Sequence, residues 1–125
     1  MWKQAVAKSK PIKVSLKDVI IDSILDKKGE DVVSLDLSSL PDAITDYFII
    51  CDATSRVQVK AIADHLIEKV KKETGEIPWQ KEGFTNSEWI LVDYVDIVIH
   101  IFLKETRDFY QLEDLWSDAV VTKHE

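Results

Sequence analysis

The segment from Glu88 to Phe102 leaves a folding chain few choices. Nearly every residue in it is β-branched, aromatic or aliphatic, and two of its acids bracket Tyr94-Val95. It reads as two strands joined by a tight turn at Tyr94-Val95. Strand side chains alternate between faces. Setting Asp93 opposite Asp96 places Val92 opposite Ile97 and Ile90 opposite Ile99, a wholly aliphatic face. On the other face Leu91 meets Val98 and Trp89 meets His100, with the two carboxylates at the turn end. A half-exposed hairpin carries one apolar and one polar face. Here the second face is also largely apolar, so the protein's own helices or a partner must cover it.

The rest of the chain supplies helices and further strands. Ser15-x-x-Asp18 resembles a capping box, and Leu16, Val19, Ile20 and Ile24 form the apolar stripe of a first helix that Gly29 stops. Asp31 to Leu37 reads as a strand. Residues 44–51 read as a second, whose unbroken apolar run from Phe48 to Cys51 predicts a central position covered on both faces. Thr54 or Ser55 caps the next helix. Its apolar positions Val59, Ile62, Ala63, Leu66, Ile67 and Val70 are the clearest helical periodicity in the chain, and Lys71, Lys72 and Gly75 suit its end. Strands follow at about 77–82, 88–93 and 96–103. Phe109, Leu112 and Trp116, at helical spacing, close the domain. The order α-β-β-α-β-β-β-α predicts an α/β (α+β) fold, a mixed five-stranded sheet flanked by helices. Residues 1–14 read as a flexible basic lead, residues 15–120 as one domain and residues 121–125 as a tail.

Charge narrows the function classes. Residues 1–14 hold four lysines and no acid, so a formal net charge of −7 leaves −11 on residues 15–125. So acidic a domain is repelled by a phosphate backbone, which excludes extensive direct nucleic-acid contact. It favours a basic protein partner. No apolar run is long enough to span a bilayer, so no membrane role is expected. The single cysteine, Cys51, lies in an apolar run and reads as a buried, inert thiol in a reducing, cytoplasmic compartment.

Catalytic signals are weak. Asp93, Asp96 and His100 form the best carboxylate–imidazole group, and they support the alternative reading of a metal-dependent nucleotidyl or phosphoryl transferase-like enzyme. His100 lies about 13 Å along an extended strand from Asp96, too far for one ion to bridge. Three glycines, at 29, 75 and 83, cannot build a Gly-rich phosphate loop, and no Gly-x-Ser-x-Gly elbow exists. No cofactor is implied. An interaction surface uses more of the chain: Trp89 on the second face of the hairpin, and Tyr110, Glu113 and Trp116 as a second aromatic–acidic group.

These same residues carry a resemblance. Thr45 to Cys51, Thr54-Ser55 with Gln58-Val59 and Ile62-Ala63-Asp64, and Glu82-Gly83 come first. Trp89 to Tyr94 with Asp96, His100-Ile101-Phe102, and Arg107 with Phe109-Tyr110-x-Leu112-Glu113-x-Leu115-Trp116-x-Asp118-Ala119 follow in order. Over roughly residues 15–120 the chain resembles the ribosomal silencing factor family, also called Iojap-related. The resemblance implies a fold similar to nucleotidyltransferases without their active site, and a non-enzymatic role. It implies binding to the large ribosomal subunit through its ribosomal protein fourteen, blocked subunit joining, lowered translation under nutrient limitation, and homodimers. On that reading Trp89, Leu91 and Val98 are apolar contacts. Asp93, Asp96 and Glu113 face basic groups of the partner, Tyr110 and Trp116 flank them, and Tyr94 sits at the rim. Three residues depart from the family pattern. Val95 and Ala53 stand where Gly is usual, and Val57 stands where Arg is frequent, with Arg56 beside it.

Overall fold

The apolar run from Phe48 to Cys51 lies in the middle of a sheet, between one antiparallel and one parallel neighbour. The computed structural model describes residues 15–125, so the basic lead read over residues 1–14 lies outside the described residues. The elements are α1 (Leu16–Asp26), β1 (Glu30–Asp36), β2 (Tyr47–Ala53), α2 (Arg56–Thr74), β3 (Gln80–Glu82), β4 (Trp89–Asp93), β5 (Ile97–Leu103), α3 (Lys104–Tyr110), a 3-10 turn (Leu112–Trp116) and β6 (Val120–His124). The strand order is β3-β4-β5-β2-β1-β6. The β2–β5 pair is parallel and the other neighbours are antiparallel.

The mixed α+β architecture matches the expectation, but the sheet has six strands rather than five. The sixth, Val120–His124, spans the stretch read as a tail. Val120-Val121-Thr122 are β-branched and suit a strand, but so short a stretch with no alternation does not specify one by itself. Pairing makes the strand: Val121 opposes Leu35 and Thr122 opposes Ser34, and the Ser34 hydroxyl meets His124 Nε2 at 2.9 Å.

One face of the sheet is covered by α1 and α2. Ser15 and Ser55 cap these helices by accepting from the Asp18 and Gln58 amides at 3.4 and 3.2 Å. The stripe on α2 buries Val59, Ile62, Ala63, Leu66 and Val70 against Ile49, Cys51, Ile90, Val92, Ile99 and Ile101. Cys51 is buried there, and desolvation pushes its thiol pKa up to about 12, so it is inert. At the end of α1 it is Lys28, not Gly29, that takes the left-handed conformation (φ 62°). Gly29 is required for close approach instead, because a Cβ there would run into the Ile24 side chain. The other face packs Val33, Leu35, Leu37, Ile50 and Phe102 beneath Leu112, Trp116 and Ala119 from the C-terminal segment and Leu40 and Ala43 from the β1–β2 loop.

The hairpin register differs from expectation by two residues. Asp93 opposes Val98, Leu91 opposes His100 and Trp89 opposes Phe102. A two-residue slip preserves every face assignment while changing every partner. Its cause is the turn. The Tyr94 amide donates to the Ile97 carbonyl at 2.9 Å, and the Asp96 amide donates to the Tyr94 carbonyl at 3.0 Å. Val95 sits between them at φ 76°, in a strained γ-turn conformation. The Asp93 carboxylate accepts from the Val95 amide at 2.7 Å and pins this geometry. A β-branched residue at positive φ costs more than the extra chain entropy of glycine. Val95→Gly should therefore raise stability by about 1 kcal/mol. The check is the urea midpoint at unchanged slope; a midpoint that falls would show the turn unstrained.

Candidate functional site

The candidate site is the sheet face opposite α1 and α2. From β4 it receives Trp89, Leu91 and Asp93, and from β5 Val98, His100 and Phe102, because directly opposed residues share a face. Trp89 is half-buried. Its ring lies 4.8 Å from Phe102 and 5.0 Å from Tyr110. Its indole N–H donates to His100 Nδ1 at 3.0 Å. His100 is buried, packs edge-on against Phe48 at 4.7 Å, and has its pKa lowered to about 4 by burial. Trp116 stands perpendicular to Phe48 at 5.9 Å and is also half-buried. A row of rings thus runs Tyr110, Trp89, His100, Phe48, Trp116.

Two devices set the position of Trp89. The β3–β4 loop passes so close that a Cβ on Gly83 (φ 92°) would strike the Trp89 carbonyl. Glu88, the residue before it, pairs with Arg56 at the start of α2, and the Glu88 carbonyl accepts from the Leu103 amide at 2.8 Å. Arg56 is therefore engaged beside the site, while Val57, where the family often has Arg, is exposed.

The structure brings Trp89, Leu91, Asp93 and Val98 onto one face, with Tyr110 and Trp116 along its margin. Two expected contacts are corrected. Tyr94 is not at the rim. It turns to the helix-covered face, where its hydroxyl is buried with no partner among the described residues and burial pushes its pKa up to about 12. Glu113, its side chain 31% exposed, is already engaged within the chain. Its carboxylate accepts from Arg107 Nη2 at 2.7 Å and Nε at 3.2 Å, and so fastens the 3-10 turn to α3. Asp96 is exposed at the turn, and its carbonyl accepts from the amides of Asp46 and Tyr47 at 3.0 and 3.1 Å.

Sequence reasoning missed the apolar neighbours of this turn. Ile44 and Trp79 are exposed, and with Thr45, Asp93, Val95 and Val98 they line a cleft of about 260 Å³. The strand expected over residues 44–51 would start at Ile44, but β2 begins only at Tyr47. Trp79 falls within the strand expected at about 77–82, but it follows Pro78 in an irregular connection and β3 begins only at Gln80. At the opposite end of the sheet a cleft of about 700 Å³ lies over the Arg107–Asp52 pair. Among the described residues no three His, Cys, Asp or Glu side chains converge as metal ligands. No helix among them is long and apolar enough to cross a membrane.

Known proteins match the chain in sequence and in fold. The family model described as "Ribosomal silencing factor during starvation" matches residues 10–125. The ribosomal silencing factor of Bacillus subtilis is 42% identical over 94 residues, covering 75% of this chain and 78% of its own length. That of Halalkalibacterium halodurans is 40% identical over 104 residues, covering 83% and 87%. A crystal structure of a Chromobacterium violaceum protein superposes with a TM-score of 0.76 at 36% identity, covering 82% of this chain and 83% of that one. Matched along nearly its whole length by sequence and by fold, the chain belongs to the ribosomal silencing factor family.

Proposed function

We propose that this chain acts without chemistry, as a steric silencer of the ribosome in the cytoplasm. It docks on the large subunit through ribosomal protein fourteen, keeps the small subunit from joining, and lowers translation when nutrients are scarce. Family membership supports the ribosome-associated role. The observation that carries the docking face is the half-covered strip of Trp89, Leu91 and Val98 with Asp93 and Asp96 at its end. The C-terminal segment seals Phe102 beneath it but leaves part of the Trp89 indole reachable, and Tyr110 beside it is exposed. An amphipathic aromatic centre with an acidic rim suits a basic protein surface.

The test is the sedimentation profile of purified subunits mixed with and without the protein. Subunits should stay apart when it is present; full association at saturating protein would overturn the reading. Trp89→Ala should weaken binding to isolated large subunits by at least about 2 kcal/mol, roughly thirtyfold. Wild-type affinity in that variant, with its fold verified by circular dichroism, would remove Trp89 from the interface.

A further inference from the structure

We infer that the cleft at the turn end of the hairpin is a second docking point, which receives one apolar side chain projecting from a basic protein segment. The inference rests on the docking reading above and extends the contact surface to residues outside the half-covered strip. Ile44 is 99% exposed, Trp79 71% and Val95 58%. These three converge with Val98 and Asp93 on one concavity. Single exposed apolar residues are ordinary, but an indole and two branched aliphatics meeting around one cleft mark a surface built to be covered. The volume, about 260 Å³, falls below the range of small-molecule pockets and suits a single side chain.

Charge selects the occupant. Among the described residues Asp93 is the one charged residue lining the cleft. Asp46 and Asp96 lie beside it, exposed and joined by the hydrogen bond from the Asp46 amide to the Asp96 carbonyl. A neutral or acidic segment would leave these carboxylates desolvated without compensation, whereas a lysine or arginine flanking the inserted side chain pairs with them. The cleft is also continuous with the Trp89 strip, because Asp93 and Val98 belong to both.

Binding to isolated large subunits tests this with Trp79→Ala, Ile44→Ala and Trp89→Ala measured side by side. Trp79 and Ile44 are exposed, so both variants should keep wild-type stability, and urea denaturation verifies it. Trp79→Ala should bind at least about tenfold more weakly, and Ile44→Ala severalfold. Unchanged affinity in both, with Trp89→Ala still impaired, overturns the cleft and leaves the docking reading standing. Absence of binding by the wild-type protein overturns both. Conversion of a dimer to a monomer by Trp79→Ala, at unchanged affinity for the subunit, would assign the cleft to self-association and also overturn the inference.

Discussion

Arg107→Met should cost the fold about 3–5 kcal/mol, the largest loss expected from any single substitution here. Arg107 is 8% exposed and Asp52, its partner, 2%. The guanidinium donates to Asp52 Oδ2 at 3.0 Å and to the Asp31 carbonyl at 2.8 Å as well as to Glu113. One side chain thus ties β1, β2, α3 and the 3-10 turn together. Methionine fills much of the same space but leaves Asp52 buried without its hydrogen-bonded counter-ion, and Asp52 Oδ1 already lacks a hydrogen-bond partner among the described residues. Burial raises the Asp52 pKa, and Arg107 is the main group opposing that shift. A carboxyl with a raised folded-state pKa stabilises below the ordinary carboxylate range and loses that contribution as pH rises. The defect in Arg107→Met should therefore shrink in acid. Asp52→Asn placed in the same chain should recover part of the loss at pH 7, because a buried amide costs less than a buried unpaired charge. A double-mutant cycle in urea is the measurement; strictly additive losses would show that Arg107 and Asp52 are not coupled.

This network also bears on the docking face, since α3 carries Tyr110 against Trp89. Nothing in the sequence signals it. Arg107 lies 55 residues from Asp52 and 76 from Asp31, and Glu113 reads locally as one more surface acid. What was legible lay in local pattern. The α2 stripe and the two faces of the hairpin follow from spacings of 3.6 and 2, and the central place of β2 from an unbroken apolar run, all of which survive any choice of partner. What was lost depended on partners. The hairpin slipped by two because Val95 accepts a positive φ that β-branched residues avoid, and β6 exists through its pairing with β1. Tyr94 continues the alternation of Ile90 and Val92 onto the helix-covered face, and reading it as part of the turn hid this, so a residue read as rim became core. Ile44 and Trp79 sit in connections, where side-chain direction has no periodic rule.

His100 should make stability fall as pH drops from 6.5 towards 4. The indole of Trp89 can only donate, so His100 Nδ1 must accept and the ring proton must sit on Nε2. Protonation would put a second donor against the indole N–H, in a site where Nε2 already has no partner among the described residues. The folded-state pKa is accordingly lowered from 6.5 to about 4, with burial as the cause. For a base with a depressed folded pKa, the unfolded chain binds the proton first. The contribution is therefore whole above 6.5 and is lost as pH falls through the window. Its full size is roughly 3 kcal/mol, most of it gone by about pH 4.5. His100→Phe keeps a ring between Phe48 and Phe102 and removes the titration. Urea unfolding at pH 7 and pH 4.5 should then show the wild type losing roughly 2–3 kcal/mol more than the variant. The carboxylates titrate alike in both proteins, so the difference isolates the imidazole, and equal losses would mean that His100 is not held neutral. Because the proton arrives on the atom that holds Trp89, the same titration breaks the hydrogen bond that orients the indole at the centre of the docking face.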